Sequence, residues 1–457
     1  MKNQTNKKKF FFRKNRFCAV SSRSIRGIGE YLAVSISGSQ IRRRYFPAYL
    51  YHSGIDLWLY DDHGGDIVGT YDEKKSGRSI CFLWKITFVL SGSWINAIIP
   101  VLIVPYYSVI GGWVLKYLVE YVRGHAQPVA EDGYFSAFIS DGFSTEICFV
   151  IFSVITLAII YAGVRNGIER VSKFMMPILV VLSVIIAIYS VTRPGALAGV
   201  KYFLVPNISN FSWMTVVAAM GQMFYSLSIA MGILITFGSY MKKETSIEES
   251  TKNVEIFDTA IAIMAGLMII PAVFAFSGGD PDTLQAGPAL MFITIPKVFA
   301  SMGFGTFAGV MFFLLVLFAA LTSSIALTES AVSTFEDELG WSRKKSTVLC
   351  GVIMIALGSL SSLGYGPLAN VKIIGMQFLD FFDFLTNSVM MPIAAIATCL
   401  FVSRVVGVKR IEEEVTYGGG TFKRRKVFLF MIQYLCPIFA GIILLSSVAN
   451  AFGWISM

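Results

Sequence analysis

Long apolar runs separated by short polar connections dominate the chain from about residue 94 onward. A run of about 20 apolar residues is long enough to cross the hydrocarbon core of a bilayer as an α-helix. The chain has nine such runs, which predict an all-helical membrane protein that crosses the bilayer repeatedly. The predicted spans are about residues 94–122, 144–164, 171–192, 213–240, 254–277, 303–334, 346–364, 373–403 and 427–453.

The fourth run carries small and polar residues at its centre, where a span is normally most apolar. Within residues 213–240, the sequence from Ser226 to Gly232 reads SLSIAMG. Unwound backbone at the membrane midplane is tolerated only where it lines a buried site or a cavity. We therefore expect this helix to be interrupted between Ser226 and Gly232 and to contribute a binding site, as in a transporter.

Lysine and arginine residues fall in alternate connections between the predicted spans. By the positive-inside rule these connections face the cytoplasm, and the N-terminus with its three consecutive lysines is predicted to be cytoplasmic as well. The basic residues in question are Lys7–Lys9, Lys74, Lys75, Arg78, Arg165, Arg170, Lys173, Lys242, Lys243, Lys252, Arg343–Lys345, Arg404, Lys409, Arg410 and Lys423–Lys426.

The composition supports a membrane protein and excludes several other classes. Hydrophobic residues make up 55% of the chain and charged residues only 15%, whereas soluble domains carry about 25% charged residues. The net charge of +9 is accounted for by the cytoplasmic connections, so no nucleic-acid partner is expected. The six cysteines and three histidines are dispersed without metal-ligand spacing, which predicts neither a disulfide framework nor a zinc site.

The sequence shows no pattern typical of a catalytic site. It contains neither a Ser/His/Asp arrangement nor a Walker-type glycine loop. An intramembrane hydrolase would need a nucleophile paired with a histidine or a second acid, and the last histidine of the chain is His125. We therefore expect that the chain is not an enzyme and that it uses no organic cofactor.

Four motifs between residues 105 and 345 point to one family of transporters. They are PYYSVIGGW (105–113), GQMFYSLSIAMG (221–232), FDTAIAIMAG (257–266) and ALTSSIALTESAVSTFEDELGWSRKK (320–345). From Trp94 onward the chain resembles the bacterial branch of the neurotransmitter:sodium symporter family. The resemblance implies an all-α LeuT-type fold in which spans one to five and six to ten form inverted repeats. The nine visible spans would be family spans 3–11.

The first fifth of the chain departs from the family pattern. Family members begin with two spans, the first of which is broken at a GLGNIWRFPY-type motif. Residues 13–80 instead mix charges with short apolar runs, which is costly inside lipid. Read in a shifted frame, the codons of residues 30–38 permit N-I-W-R-F-P-Y-L-A. The predicted organisation is a cytoplasmic N-terminus (1–12), an aberrant segment in place of spans 1 and 2 (13–93) and a transporter domain (94–457).

The frameshift hypothesis has a consequence for activity. The chain as written would lack the sodium-binding carbonyls, the asparagine ligand and the arginine gate that the family's first span supplies, so it is expected to be inactive. The alternative is a genuine basic N-terminal arm on a nine-span protein. The two interpretations differ at the level of the DNA.

The resemblance implies two sodium sites made of hard oxygen ligands. Ser226 and Asp258 match the first site, while Ala319, through its carbonyl, Thr322 and Ser323 match the second. A carboxylate at position 258 would supply the negative charge for which animal relatives need chloride, so chloride-independent transport is predicted. Judged by spacing alone, the two hydroxyls could simply bond to backbone carbonyls of their own helix.

The resemblance also implies a substrate site and two gates. Tyr107 would bind the carboxylate of an amino acid, and the flexible thioether of Met231 suggests a hydrophobic or aromatic side chain as the ligand. Asp383 resembles the outer-gate acid, while Asp337 and Tyr240 resemble members of the inner gate. The full set of predicted substrate residues is Ile103, Tyr107, Tyr225, Ser226, Ser228, Met231, Ser323 and Leu327.

The sequence therefore predicts a sodium-coupled amino-acid symporter of the bacterial inner membrane. Its partners would be sodium ions, a small amino-acid substrate and membrane lipid. The alternative function is a non-transporting membrane scaffold or sensor that retains part of the transporter fold.

Overall fold

A computed structural model describes residues 87–206, 212–240, 246–280, 287–416 and 422–454, with side chains from Trp94 onward other than those of residues 214, 224, 225 and 405. The predicted N-terminus 1–12 and most of the predicted segment 13–93 lie outside the described residues.

The described residues form seventeen α-helices, several of them continued by short π-helical turns. The helices are α1 (Thr87–Val122), α2 (Ala126–Val129), α3 (Tyr134–Ser140), α4 (Gly142–Tyr161), α5 (Arg170–Val191), α6 (Ala196–Leu204), α7 (Trp213–Ser226), α8 (Ile233–Gly238), α9 (Ile247–Ser277), α10 (Ile295–Ser301), α11 (Gly305–Leu339), α12 (Arg343–Leu363), α13 (Phe378–Asp383), α14 (Met391–Leu400), α15 (Val408–Val415), α16 (Arg425–Phe430) and α17 (Cys436–Ala451).

Eight unbroken helical stretches in the described part are long and apolar enough to cross a membrane. They are Trp94–Val122, Gly142–Tyr161, Val164–Val191, Ile247–Ser277, Gly305–Leu339, Arg343–Leu363, Phe378–Arg404 and Arg425–Ala451. The remaining predicted span, 213–240, consists of α7 and α8 with a non-helical stretch between them. The nine predicted spans are thus eight continuous helices and one interrupted helix, and the prediction of an all-α membrane fold is confirmed.

Of the eight continuous spans in the described part, the two most enclosed form the centre of the bundle. Within their most apolar stretches, 78% of the residues of α11 and 72% of those of α1 are buried, whereas the corresponding share of the last span, Arg425–Ala451, is 28%. A buried helix contacts protein on every side, whereas a peripheral helix leaves one face in contact with lipid. Helices α1 and α11 are therefore the scaffold against which the other spans are arranged.

Burial on the peripheral helix α4 does not follow hydropathy, because lipid is as apolar as the core. Its exposed stripe consists of Phe143, Ile147, Ile151 and Val154, which repeat at helical spacing. The opposite stripe is buried and contains Thr145, Phe149, Ser153 and Thr156.

Small residues allow close packing in membrane helices. At Gly112 of α1, an added Cβ would come within 2.7 Å of the Phe149 backbone nitrogen.

The short helices cap the two ends of the span bundle. Helices α2, α3, α6 and α10 lie in connections at one end, and α15 lies in a connection at the other, lysine- and arginine-rich end. We call the basic end the inner end and the opposite end the outer end, in keeping with the positive-inside prediction.

Candidate functional site

The interrupted span is broken where the sequence predicted. Helix α7 ends at Ser226 and α8 begins at Ile233. Between them, Ser228, Ala230 and Gly232 have φ angles of 53°, 60° and 70°. Left-handed backbone is strained for residues with a Cβ and persists only where the surrounding structure maintains it. The break therefore frees backbone groups in a buried stretch, since Ser226, Ser228 and Met231 are each less than a tenth exposed.

Contacts to two neighbouring spans hold the break in place. On one side, the Ser226 hydroxyl donates a hydrogen bond of 3.5 Å to Oδ2 of Asp258 on α9. On the other side, Thr236 of α8 donates to the Ser330 hydroxyl of α11 over 3.3 Å. The two residues predicted for the first sodium site, Ser226 and Asp258, thus lie together. Both are buried, with exposed fractions of 7% and 8%.

The three residues predicted for the second sodium site share one turn of α11. The Thr322 hydroxyl donates to the Ala319 carbonyl over 2.8 Å, so two of the predicted ligands bond to each other in this structure. Ser323 is 5% exposed, and its hydroxyl has no hydrogen-bond partner within the described part of the chain. A buried hydroxyl without a partner is costly. This turn therefore offers an oxygen-rich position that suits a small cation.

The predicted substrate residues are all buried wherever their side chains are described. Ile103, Tyr107, Met231 and Leu327 are each less than 5% exposed and belong to the main hydrophobic core. They come from α1, the break and α11, three segments that the sequence alone does not bring together. The side chain of Tyr225 lies outside the described residues.

At the outer end, the predicted gate residue Asp383 belongs to a small polar cluster. The Asn387 amide donates to Asp383 over 2.6 Å and to the Tyr106 hydroxyl over 3.3 Å. The Tyr106 hydroxyl also lies 3.2 Å from the hydroxyl of Thr386. In the family the arginine partner of this acid comes from the first span, and most of the segment predicted to replace that span here (13–93) lies outside the described residues.

Above this cluster, a packed group of aromatic rings joins the outer connections to α1. Phe292, just before α10, is fully buried. Its ring stacks on Phe135 of α3 at 5.2 Å and meets Trp113 at 5.8 Å and Tyr117 at 5.0 Å, both on α1. The Tyr117 hydroxyl also donates to the Phe292 carbonyl over 2.8 Å. We call Trp113, Tyr117, Phe135 and Phe292 the aromatic cluster.

At the inner end, predicted gate residue Tyr240 belongs to a buried ionic network. Its hydroxyl donates to Oε1 of Glu329 over 2.6 Å. Arg343 donates to the same carboxylate through two nitrogens, at 3.0 and 2.5 Å, and through a third to the Ile160 carbonyl at 3.0 Å. Glu336 lies 3.7 Å from Arg343. We call these five residues the inner network.

Sequence reasoning identified only part of the inner network. Tyr240 was predicted, but Glu329 was not, and Arg343 was treated only as an orientation signal. The predicted residue Asp337 is half-buried and follows Glu336 on α11. Glu329 is fully buried, and an ionisable residue in the middle of a span is by default a functional candidate. That signal was present in the sequence.

Comparisons with known proteins show the family of the chain. The family "Sodium:neurotransmitter symporter family" matches residues 137–453. An uncharacterised sodium-dependent transporter, YhdH of Bacillus subtilis, is 32% identical over 378 residues, which cover 82% of this chain and 81% of that protein. A sodium-dependent transporter of Haemophilus influenzae is 30% identical over 81% of this chain and 80% of its own length.

A solved structure extends the comparison to the fold. The crystal structure of MhsT in complex with L-phenylalanine superposes with a TM-score of 0.85 and 31% sequence identity. The match covers 96% of this chain and 99% of that one. The arrangement of spans is therefore that of a LeuT-type transporter.

Proposed function

Because this chain belongs to the sodium:neurotransmitter symporter family, we propose that its transporter domain couples sodium entry to the uptake of a hydrophobic or aromatic amino acid. Members of this family are secondary transporters, so the chain is a sodium-dependent membrane transporter and not an enzyme. The observation that carries the finer proposal is the broken span, whose last helical residue, Ser226, contacts Asp258 inside the bundle.

Sodium coupling follows from the oxygen donors at the break. A sodium ion that leaves water needs several oxygen ligands, and an unwound stretch of span can supply backbone carbonyls. Asp258 adds a full negative charge at the same place, where an isolated buried carboxylate would be expensive. A bound cation would offset that cost. Since Asp258 supplies the charge itself, we expect transport without chloride.

The expected substrate class follows from the buried residues around the break. Tyr107 offers a hydroxyl for the substrate carboxylate, and the helix ends at the break offer backbone amides and a favourable dipole. Ile103, Met231 and Leu327 supply apolar surface for the side chain. The related structure of MhsT contains L-phenylalanine, which supports an aromatic or large aliphatic substrate.

Alternating access would open the two ends in turn. The inner network and Asp383 lie at opposite ends of the bundle. We propose that Tyr240 and Asp337 act in the inner gate, that Asp383 acts in the outer gate, and that Glu329 and Arg343 belong to the inner gate as well. The positive-inside rule would then place the inner end in the cytoplasm of a bacterial cell.

Sodium-gradient uptake by reconstituted protein tests the proposal. We expect the chain as written to be inactive, and a version whose reading frame is restored over residues 13–93 to take up phenylalanine or leucine. Asp258→Asn should reduce sodium-driven uptake by about tenfold or more, equivalent to at least about 1.4 kcal/mol of lost coupling. Replacing chloride by gluconate should leave the rate unchanged.

The outcome also separates the alternative function. A correctly inserted, restored protein that takes up none of the twenty common amino acids under a sodium gradient would favour a scaffold or sensor. Uptake that requires chloride would refute the assigned role of Asp258 while leaving the symporter assignment intact. The nucleotide sequence across codons 5–95 tests the frameshift directly.

A further inference from the structure

A second ionic contact at the inner end, separate from the inner network, joins α9 to the last span. Nη1 of Arg424, the residue just before α16, lies 3.8 Å from Oε2 of Glu255 on α9. Glu255 is 9% exposed, and Nη1 of Arg424 is buried and has no hydrogen-bond partner within the described residues. Opposite charges in such surroundings attract each other more strongly than in water. We call Glu255 and Arg424 the α9 clamp.

The turn that carries Arg424 is held in place on both sides. The Arg424 carbonyl accepts a hydrogen bond from the amide of the buried residue Phe428 over 3.0 Å, which begins α16. The preceding residue, Lys423, donates its backbone amide to Glu248 of α9 over 3.4 Å. Two consecutive residues of this turn thus contact acids on α9. The basic run 423–426 indicates the orientation of the chain, and it also holds a neighbouring helix.

Glu255 shares a face of α9 with Asp258, the predicted sodium ligand. The two acids are three residues apart, which places them on neighbouring turns of one side of the helix, and both are buried. Asp258 accepts a hydrogen bond from Ser226 at the break over 3.5 Å. A shift of the inner half of α9 would therefore move Asp258 relative to the break. Like charges on neighbouring turns also repel each other, and a positive partner on Glu255 offsets this repulsion.

The broken span and α9 thus have one ionic anchor each at the inner end. Tyr240, two residues after α8, donates a hydrogen bond to Glu329 of α11. Glu255 of α9 pairs with Arg424 at the start of the last span. The inner network therefore holds the broken span, and the α9 clamp holds the helix that carries Asp258.

We propose that Arg424 is a positioning residue of the transport cycle. By holding Glu255 it fixes the inner half of α9, and with it Asp258, while the inner end is closed. The two charges separate when the inner end opens. The inference rests on the proposed function in one respect, namely that the broken span and α9 move when the inner end opens.

The next residue along the chain offers a matched control. Arg425 donates to Glu412 of α15 over 2.9 Å, but these two side chains are 46% and 39% exposed. Exposed ion pairs contribute little, because water and salt screen them. Arg425→Gln therefore removes the same charge, one residue away, from a pair that does not hold α9.

Cysteine labelling of the full chain in detergent micelles tests the clamp. Thr251→Cys provides the probe, because Thr251 is fully buried and lies one turn before Glu255 on the same face of α9. Labelling by N-ethylmaleimide is followed by mass spectrometry of the peptide that contains residue 251, in a choline chloride buffer without sodium. Glu255→Gln and Arg424→Gln should each speed this labelling about threefold to tenfold, because α9 then separates from the last span more often.

A double-mutant cycle shows whether the two residues act as a pair. Each single substitution removes the whole interaction, so the variant with both substitutions should label no faster than the faster single variant. Arg424→Lys should recover most of the parent rate, because a single contact between charges does not need the guanidinium fork. Arg425→Gln should label at the parent rate.

Cys350, which is 2% exposed on α12, is the reference for unfolding, and its labelling should stay at the parent rate in every variant. An equal rise at Cys350 and at residue 251 would mean that the substitutions unfold the protein, and it would overturn the clamp. So would additive effects in the double variant, or labelling that neither single substitution changes. Because the buffer contains no sodium, a restored protein that takes up no amino acid would refute the proposed function without altering these rates.

Discussion

The two ends of this transporter are held together by different physical forces. The inner end relies on charge, because a fully buried carboxylate, Glu329, is held by a guanidinium and a phenol. At the outer end the aromatic cluster packs ring against ring, and below it Asn387 and Tyr106 bond to each other beside the carboxylate of Asp383. Removing one partner of a buried ion pair leaves an uncompensated charge and strongly destabilises the protein. Removing one ring from an aromatic cluster costs less, because each ring contact contributes only modestly. A single substitution should therefore lower the free energy of unfolding more at the inner end than at the outer end.

The largest expected effect comes from removing one partner of the inner ion pair. Arg343→Ala leaves Glu329 buried without its counter-charge, and breaking such pairs costs about 3–5 kcal/mol. Thermal unfolding of the detergent-solubilised protein should show this loss. Lys345→Ala is the matched control, because it removes the same charge from an exposed position two residues away.

The double variant Glu329→Gln with Arg343→Gln sharpens the interpretation. Removing both charges avoids the uncompensated carboxylate, so it should recover much of the stability lost in Arg343→Ala. If the double variant is as unstable as the single one, the network is held by packing and not by charge, and the contrast between the two ends fails.

A smaller loss is expected at the outer end. Phe292→Leu keeps an apolar side chain but removes the ring contacts to Phe135, Trp113 and Tyr117, for about 1–2 kcal/mol. The same unfolding measurement checks this value. Phe143→Leu serves as the control because that ring is 77% exposed on the lipid face. A loss as large as that of Arg343→Ala would show that the outer end is not the more tolerant one.

Tyr106→Phe tests the hydrogen bonds beneath the aromatic cluster, where the Tyr106 hydroxyl also bonds to the Asp383 carboxylate. It removes a hydroxyl that lies 3.2 Å from Thr386 and accepts from Asn387 over 3.3 Å. A neutral hydrogen bond contributes about 1 kcal/mol and a bond to a charged group more, so a loss of at least this order is expected in the free energy of unfolding. Tyr161→Phe, at a half-exposed ring, should be close to silent.

The smallest effect concerns an exposed charge at the outer end. Asp141 caps α4 by accepting from the Phe143 amide over 3.2 Å and from the Ser144 hydroxyl, and the bond from Ser144 lowers the pKa of Asp141. A lowered pKa means that this stabilisation is complete above the ordinary aspartate pKa, about 3.9. It is lost as the pH falls through the lower folded-state value.

Acid titration of thermal stability checks this capping contribution. Asp141→Asn retains an N-cap and should show a slightly shallower loss of stability below about pH 4 than the parent chain. An identical acid profile for the two proteins would mean that the charge of Asp141 contributes nothing to the outer end.

Much of the architecture could be predicted from the sequence because the bilayer imposes simple rules. A span needs about 20 apolar residues, and the nine predicted runs correspond to eight continuous helices and one interrupted helix. The ends of the spans were less accurate. Helix α9 begins at Ile247, seven residues before the predicted start at 254. Its first turns are polar, so a count of apolar residues misses them. The Ser246 hydroxyl caps the helix by accepting a hydrogen bond from the Glu249 amide.

The position of the break was also predictable, because Ser226 and Gly232 frame a stretch that loses helical propensity in the middle of lipid. The structure brings some of the predicted sodium ligands into contact. Ser226 and Asp258 are in contact, and Thr322 contacts Ala319. The roles of these residues in ion binding stay predictions until transport is measured.

The sequence by itself determined the nine spans of the described part, the break and the family, since each depends on residues that are neighbours along the chain or on one helix. Tertiary structure alone decided that Tyr240 and Arg343, on either side of α11 in the sequence, share Glu329, and that Arg424 pairs with Glu255 of α9. Such contacts depend on how separate helices pack. Lipid is as apolar as the helix surfaces, so the hydrophobic effect does not select which helices associate. Side-chain shape and buried hydrogen bonds therefore select the partners, and neither is visible in hydropathy.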